Sequence, residues 1–237
     1  MKWSQITDVG RVRSSNEDSV CVCPEIGLYG VADGMGGHKA GEIASSTALK
    51  YLEDNLPIYL KESPDKAEAL LRSFEEANLR VFRMSTEFAD FRGMGTTVTV
   101  GLLVDDELLI AHIGDSRAYL IRQNQIAQIT DDHSLVAEML RGGGITEEQA
   151  QHHPQRNVLT RAMGTAPTVN LDSYRVKLQQ GDRILFCTDG LSNHLNPEEI
   201  KDVIARGNLE QGLYTLLNMA LDRGGLDNIT MVLIEMD

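Results

Sequence analysis

The sequence is poor in cysteine, in long apolar runs and in positive charge, and each shortage excludes a class of protein. Its 237 residues include three cysteines, at positions 21, 23 and 187. That number is odd and too small for a disulfide framework, and the spacing Cys-Val-Cys is typical neither of a metal site nor of a redox pair. We therefore expect a protein of the reducing cytoplasm.

Membrane and secretory signals are also missing. No uninterrupted apolar run approaches the roughly 20 residues that a transmembrane helix needs. The first residues, MKWSQITDVGR, contain no apolar core of the length found in signal peptides. These features again favour a cytoplasmic location.

Basic residues are outnumbered, with 22 Lys and Arg against 35 Asp and Glu and a net charge of −13. A protein that binds nucleic acid needs a basic face to displace counterions from the phosphates, and an anionic membrane surface makes a similar demand. We expect neither partner. The excess of acid is either ordinary solvated surface or, in part, a cation site.

What is present indicates a folded chain of the α+β class. Hydrophobic residues make up 42% of the sequence, enough to bury a core. Two early and two late segments have apolar residues at helical spacing, with the early pair divided by a break at Pro57 and the second of them opened by Ser63-Pro64. Asn196-Pro197 opens the first late helix. Helices in pairs and strands in clusters favour helices layered on antiparallel sheet.

Runs rich in β-branched residues predict the strands between these helices. Several are joined by short polar turns, which suit antiparallel hairpins better than helical crossovers. The predicted strands cover residues 28–32, 96–104, 108–113, 117–121, 183–187 and 229–234.

Residues 133–165 do not fit this alternation and predict an exposed insertion, similar to a flap, in a single domain that covers residues 1–237. A short helix there stops at three consecutive glycines, 142–144. A capping-box pattern from Thr146 to Gln149 then predicts a second small helix.

Four aspartates stand at the ends of predicted strands beside glycine: Asp33, Asp115, Asp189 and Asp227. Each one alone is typical of a turn. Four such residues, each next to an apolar run, favour convergence, because strands of one sheet system can bring their ends together. Two carboxylates about 4 Å apart repel by roughly 4 kcal/mol at an effective dielectric near 20, so the cluster must take up protons or bind cations.

Oxygen ligands select hard ions such as Mg²⁺ or Mn²⁺. Two such ions can activate a water molecule and hold a phosphoryl group for attack. Competing motifs are incomplete: the glycine-rich segment 34–39 lacks both the dinucleotide-binding fingerprint and the Gly-Lys-Ser/Thr ending of a P-loop. The sequence also contains no Gly-x-Ser-x-Gly nucleophile elbow.

A set of motifs in a fixed order resembles the metal-dependent serine/threonine protein phosphatases of the PPM, or protein phosphatase 2C-like, family, most of all its small bacterial members. The match runs from about Thr7 to Ile234. The resemblance implies two packed antiparallel sheets flanked by helix pairs, an αββα sandwich. The motifs are Arg13 with Glu17-Asp18, Asp33-Gly34-Met35-Gly36-Gly37-His38, Gly93-Met94-Gly95-Thr96-Thr97, His112-Ile113-Gly114-Asp115-Ser116-Arg117, Asp132-His133-Ser134, Thr188-Asp189-Gly190-Leu191 and Gly224-Gly225-Leu226-Asp227-Asn228.

The resemblance also implies a ligand set for two Mn²⁺ or Mg²⁺ ions. Asp33 would bridge the two ions, and the carbonyl of Gly34 would bind one of them. Asp189 and Asp227 would bind the other ion.

Further residues match the family around these ligands. Glu17 and Asp18 fall at an acidic pair that contacts metal directly or through water. Asp115 matches the acid that, with Asp189, holds a third and weaker ion. Arg13 matches the arginine that binds the substrate phosphate, which suits its bidentate fork.

The implied reaction is direct hydrolysis of phosphoserine and phosphothreonine in proteins. A hydroxide that bridges the metals would attack phosphorus in line, without a covalent phosphoenzyme. The implied partners are phosphorylated proteins, substrates of a cognate serine/threonine kinase, and a monomer is the default expectation.

One position departs from the family pattern. Many eukaryotic members place His directly after the Asp-Gly pair, where it is thought to protonate the leaving alkoxide, but this chain has Met35 there. His38 could take that catalytic role, could only shape the metal loop, or a metal-bound water could donate the proton instead.

Two other functions stay open. The same acids would serve a two-metal phosphohydrolase that acts on nucleotides or other small phosphomonoesters. A catalytically inactive relative that only binds a partner would be expected to lose metal ligands, whereas Asp33, Asp189 and Asp227 are all present.

Overall fold

The computed structural model describes residues 1–36, 40–205 and 207–237. Its strands are β1 (Lys2–Asp8), β2 (Asp18–Cys23), β3 (Leu28–Met35), β4 (Gly95–Thr96), β5 (Val98–Val104), β6 (Glu107–Ile113), β7 (Arg117–Arg122), β8 (Gln125–Gln128), β9 (Asp172–Lys177), β10 (Arg183–Cys187) and β11 (Ile229–Glu235). Its α-helices are α1 (Ala40–Glu62), α2 (Lys66–Glu87), α3 (Leu135–Arg141), α4 (Glu147–Gln151), α5 (Asp189–Ser192), α6 (Pro197–Ile204) and α7 (Leu209–Asp222), and a short 3₁₀-helix covers Ala89–Phe91.

The strands form two sheets in which neighbouring strands are antiparallel. The first sheet has the order β1-β11-β10-β7-β8, and the second has the order β2-β3-β5-β6-β9, with β4 paired to β3. Strand β1, near the start of the chain, pairs along its full length with β11, near the end.

The two sheets pack face to face, and helices cover their outer faces. Side chains such as Tyr29, Ile110 and Phe186 fill the space between the sheets. Helices α1 and α2 pack on the second sheet through residues such as Leu52 and Phe74. Helices α5, α6 and α7 pack on the first sheet. The predicted α+β class, with two packed antiparallel sheets flanked by helix pairs, is confirmed.

The predicted break at Pro57 is wrong. Helix α1 continues through Pro57 to Glu62. Proline inside a helix costs about 3 kcal/mol, but Leu52 and Leu56 are fully buried beside it, and their burial offsets that cost. Helix α2 begins later than predicted: its cap is Asp65, whose carboxylate accepts hydrogen bonds from the backbone N–H groups two and three residues on.

The strands missed by the sequence pattern are the edge strands of both sheets, β1, β8, β2 and β9. An edge strand is covered on fewer sides than a central one, so its sequence carries polar residues. Strand β9, for example, alternates half-buried and exposed residues in the sequence DSYRVK. The central strands, buried on both faces, appear as the continuous apolar runs that were predicted.

Residues 133–165 contain the two predicted small helices, α3 and α4. The capping box is confirmed: the Thr146 hydroxyl accepts from the backbone N–H of Gln149, whose side chain accepts from the backbone N–H of Thr146. Much of this segment is exposed. Among the described residues, no helix is long and apolar enough to cross a bilayer.

Candidate metal centre and phosphate pocket

The predicted site residues lie together at one end of the two sheets. A cavity of about 740 Å³ opens there, and its lining includes Arg13, Glu17, Asp33, Gly34, Asp115, Asp189 and Asp227. Asp18 lies opposite Asp33 in the pairing of β2 with β3. Every predicted site residue in the described part of the chain therefore belongs to one cluster, whereas His38 lies outside the described residues.

Asp33 is held at the end of β3 by two threonines of the Gly-Thr-Thr motif. Its backbone N–H donates to the Thr97 hydroxyl at 2.9 Å. The hydroxyl of Thr96 donates to the Asp33 carbonyl, also at 2.9 Å. These contacts fix the backbone from which the Asp33 carboxylate projects.

Glycine is required next to Asp33 because backbones approach closely there. A Cβ atom on Gly34 would lie 2.0 Å from the carbonyl oxygen of Gly41 and 2.6 Å from that of Glu17. The Gly34 N–H donates to the Glu17 carbonyl at 3.1 Å. The segment that carries Glu17 and the start of α1 is thereby packed against the Asp-Gly pair.

Asp189 and Asp227 come from the opposite sheet. Asp189 is the first residue of α5, two residues after the end of β10, and Asp227 precedes β11 by two residues. A Cβ atom on Gly190 would lie 1.9 Å from the carbonyl oxygen of Asn228, so the two segments are in tight contact.

Asn228 joins the N-terminal segment to this contact, a role that the sequence did not predict. Its side-chain oxygen accepts from the Glu17 N–H at 2.8 Å. Its side-chain nitrogen donates to the carbonyls of Val9 and Ser15, each at 2.9 Å. Glu17 and the loop that carries Arg13 are thus positioned by one buried amide.

Partial burial and close neighbours of the same charge disfavour the charged forms of several of these acids. Burial, followed by the charges of neighbouring acids, raises the pKa of Asp33 well above its usual value. Burial also raises the pKa of Asp18 to about 7 and that of Asp115 to about 8. The pKa of Asp189 is raised to about 6, first by burial and then by the charge of Asp227. Because burial and mutual repulsion both raise these pKa values, the carboxylates need a counter-charge if they are to be ionised together.

The cluster fits divalent cations. Within the described part of the chain, Oδ1 of Asp18 and Oδ1 of Asp189 are buried and have no hydrogen-bond partner. A buried polar atom without a partner is costly, and a coordinated ion would satisfy both oxygens. The donors are all oxygen atoms, which matches Mg²⁺ or Mn²⁺ rather than Zn²⁺.

Positive charge stands on two sides of the cavity. Arg13 Nη2 donates to Asp227 Oδ2 at 2.7 Å, and this hydrogen bond raises the pKa of Arg13. About half of the Arg13 side chain remains exposed. On the other side, Arg161 lines the cavity and donates to Asp172 Oδ1 at 2.9 Å.

His133, from the motif Asp132-His133-Ser134, supports the loop that carries Asp115. Its backbone N–H donates to the Gly114 carbonyl at 2.8 Å, and its Nδ1 accepts from the Gly114 N–H at 3.1 Å. Since a backbone N–H can only donate, Nδ1 carries no proton, and the proton on Nε2 is donated to Asp172 at 3.0 Å. Burial lowers the pKa of this imidazole, which agrees with a neutral ring.

Comparison with known proteins identifies the family. The family model described as Protein phosphatase 2C matches residues 11–222. The chain belongs to the protein phosphatase 2C family. The resemblance drawn from the motifs is therefore confirmed.

Relatives within the protein phosphatase 2C family match nearly the full chain. Protein phosphatase PhpP of Streptococcus pneumoniae is 38% identical, with 100% of this chain and 98% of that protein covered. The crystal structure of the Mycobacterium tuberculosis serine/threonine phosphatase PstP/Ppp has a TM-score of 0.92 at 35% identity, covering 100% and 98% of the two chains. A structure of the PstP catalytic domain in complex with two manganese ions has a TM-score of 0.88 at 34% identity, with the same coverage.

Proposed function

We propose that this chain is a metal-dependent serine/threonine protein phosphatase that hydrolyses phosphoserine and phosphothreonine in proteins. Its membership of the protein phosphatase 2C family supports this function. The observation that carries the proposal is the convergence of acids from distant segments, with two buried carboxylate oxygens that have no partner among residues 1–36, 40–205 and 207–237.

The proposed ligands are the residues that line one cavity. Asp33 lies centrally and would bridge two ions, with the Gly34 carbonyl on one ion and Asp189 and Asp227 on the other. When bound, Mn²⁺ or Mg²⁺ supplies Lewis-acid stabilisation of phosphoryl charge and lowers the pKa of water.

Three further acids complete the proposed metal centre. Glu17 and Asp18, beside Asp33, would contact metal directly or through water. Asp115, which faces Asp189, would hold a third and weaker ion. The raised pKa of Asp115 has the charge of Asp189 as its second cause, after burial, which supports a shared cation.

Arg13 would bind the substrate phosphate. Its guanidinium is oriented by Asp227, the residue lines the cavity, and about half of its side-chain surface is exposed. Paired charges of this kind present the remaining N–H groups in a fixed plane, which suits two phosphoryl oxygens. Without this cation the acids would repel a phosphate dianion.

The proton for the leaving serine or threonine oxygen has no assigned donor in the described residues. Met35 is partly buried at the end of β3 and cannot supply a proton. His38 stays a prediction as general acid, since it lies outside the described residues.

Substrate access would be shaped by residues 133–165, which we propose as a flap within a single catalytic domain, 1–237. Asn157, Leu159 and Thr160 of this segment line the cavity. We further propose a cytoplasmic monomer that acts on proteins phosphorylated by a cognate kinase. Neither a nucleic acid nor a membrane is expected as a partner, because the net charge is −13.

The test is hydrolysis of p-nitrophenyl phosphate and of a phosphothreonine peptide, first with Mn²⁺ and then with excess EDTA. We expect turnover of both substrates with Mn²⁺ and its loss with EDTA. No metal-dependent release from either substrate would contradict the proposal. Faster turnover of nucleotides than of the phosphopeptide would favour the small-molecule phosphohydrolase instead.

A further inference from the structure

A second cluster of potential metal ligands lies away from the proposed catalytic centre. The Sγ atoms of Cys21 and Cys23 and a carboxylate oxygen of Glu53 all lie within 4.8 Å of one another. Both cysteines are free thiols. We propose that these three side chains bind one thiophilic divalent cation such as Zn²⁺.

Strand geometry explains how the Cys-Val-Cys sequence brings two thiols together. Residues two apart on a strand point to the same face of the sheet. Cys21 and Cys23 of β2 both pack in the cluster formed with α1, and α1 contributes Glu53. The Cys-Val-Cys spacing supplies only two donors, and Glu53 of α1 supplies the third.

The distances suit a zinc-sized ion. Zn–S bonds of about 2.3 Å and Zn–O bonds of about 2.1 Å place three tetrahedral donors roughly 3.6–3.8 Å from one another. Donor atoms that already lie within 4.8 Å of one another need to approach by at most about 1.2 Å. Two thiolates select soft or borderline ions, so the preference is opposite to that of the all-oxygen cluster.

Solvent reaches two of the three proposed ligands. Cys21 is fully buried, Cys23 is half-buried, and the Glu53 side chain is 24% exposed. Strand β2 is an edge strand, and within the described part of the chain no further strand pairs with its outer edge. Lys50 lies 3.7 Å from Glu53 but only 2.8 Å from Asp54, which leaves Glu53 available to an ion.

This site is separate from the proposed catalytic centre although both use β2. Asp18 and Cys21 are three residues apart, which is about 10 Å along a strand. They also point to opposite faces: the Asp18 carboxylate accepts from Thr188 of the other sheet, whereas Cys21 faces α1. An ion bound here would cross-link the edge strand β2 to α1.

Cobalt is the probe for the experiment. The reduced protein is held in excess Mn²⁺, which occupies the proposed catalytic centre, and Co²⁺ is added. We expect a thiolate-to-cobalt charge-transfer absorption that saturates at one equivalent per chain and is abolished by Zn²⁺. Zn²⁺ should also slow the alkylation of Cys23 in the unmodified protein, a readout that needs no variant.

Variants locate the signal. Cys23→Ser should abolish the absorption, and Glu53→Gln should weaken cobalt binding by about tenfold or more. Cys187→Ser is the matched control, because this third cysteine is buried on the other sheet and should leave the signal unchanged. Asp227→Asn, which alters the proposed catalytic centre, should also retain it.

The proposal is overturned if no absorption develops, if it survives in Cys23→Ser, or if it is lost in Cys187→Ser or Asp227→Asn. Unchanged alkylation of Cys23 in saturating Zn²⁺ would overturn it as well. None of these readouts depends on phosphatase activity, so failure here would leave the proposed function untouched.

Discussion

Strand β10 has an aspartate near each end, and the protein surrounds the two carboxylates very differently. Asp182, before the strand, is 1% exposed and accepts hydrogen bonds from Arg122 Nε at 2.8 Å and from the Gln179 N–H at 2.7 Å. Asp189, after the strand, accepts from Asn193 through one oxygen, and among the described residues the other oxygen has no partner.

The difference separates a group that stabilises the fold from one that is kept for a ligand. A buried carboxylate with an arginine and a backbone N–H has its hydrogen-bonding needs met within the chain. A buried carboxylate oxygen without a partner, close to other acids, lowers stability until a cation binds. The Asp182 end therefore belongs to the scaffold, and we propose that the Asp189 end serves the reaction.

The largest effect is expected from removing Asp33, the central acid of the cluster to which Asp189 belongs. Asp33→Asn should lower phosphatase activity by at least about 10³-fold, because the metal centre supplies several kcal/mol of transition-state stabilisation. In EDTA the variant should melt at the same temperature as the parent chain or higher, since a repelling charge is gone. Activity assays and thermal melts measure the two effects, and a variant with full activity would contradict the assignment.

Removing the guanidinium of Arg13, which lies in the same cluster as Asp189, should have the next largest effect. Arg13→Ala should lower kcat/KM by roughly 10–100-fold, the value of one or two charge-assisted hydrogen bonds. Arg13→Lys should recover only part of the loss, because a lysine cannot form the bidentate contact. Steady-state kinetics on a phosphopeptide measures this, and unchanged kinetics in the alanine variant would remove Arg13 from the phosphate site.

Removing the Asp182 carboxylate, whose hydrogen bonds are complete, should lower stability rather than activity. Asp182→Asn should lower the free energy of unfolding by about 2 kcal/mol, or roughly 4–8 °C in Tm, because Arg122 and a backbone N–H lose their charged acceptor. Activity per folded molecule should be unchanged at a temperature well below the transition. A loss of activity without a loss of stability would mean that the two ends of β10 are not independent.

The smallest effect is a pH dependence confined to the metal-free chain. The folded-state pKa values of Asp189, Asp18 and Asp115 are raised to about 6, 7 and 8. The folded state then holds protons that the unfolded chain releases near pH 4, so stability falls as the pH rises from about 4 to 8. Melts in EDTA should show a decline over this range, and Mn²⁺ should remove most of it. A Tm in EDTA that is flat or rising with pH would contradict the raised pKa values.

Burial also explains which secondary-structure elements could be predicted from the sequence. Central strands such as β3 and β11 are buried on both faces and have continuous apolar sequences, so the pattern identified them. The edge strands mix polar and apolar residues, so the apolar pattern missed them, and two of them, β1 and β9, also pair with strands that are distant in sequence. Pro57 was misjudged for a similar reason: the burial of Leu52 and Leu56 that keeps the helix intact is a tertiary contact.

The residues of the candidate site also fall into two groups, those that the sequence identified and those that it did not. The motifs identified the acids and Arg13, because their residue types and the glycines beside them carry the signal directly. The supporting roles of Asn228 and His133 were not predicted, although both stand in the motifs. Their function consists of hydrogen bonds to backbone atoms of other segments, and backbone atoms leave no trace in a sequence.

By itself the sequence determined the α+β class, the family, and the acids that form the cluster, since these depend on apolar patterning and on side chains with their own chemistry. Only the tertiary structure decided which buried carboxylates are satisfied and which are left for a cation. It also decided that Cys21 and Cys23 meet Glu53 of a helix. Burial and hydrogen-bond partners arise from residues brought together by folding, and the same aspartate or cysteine is inert or reactive according to what folding places beside it.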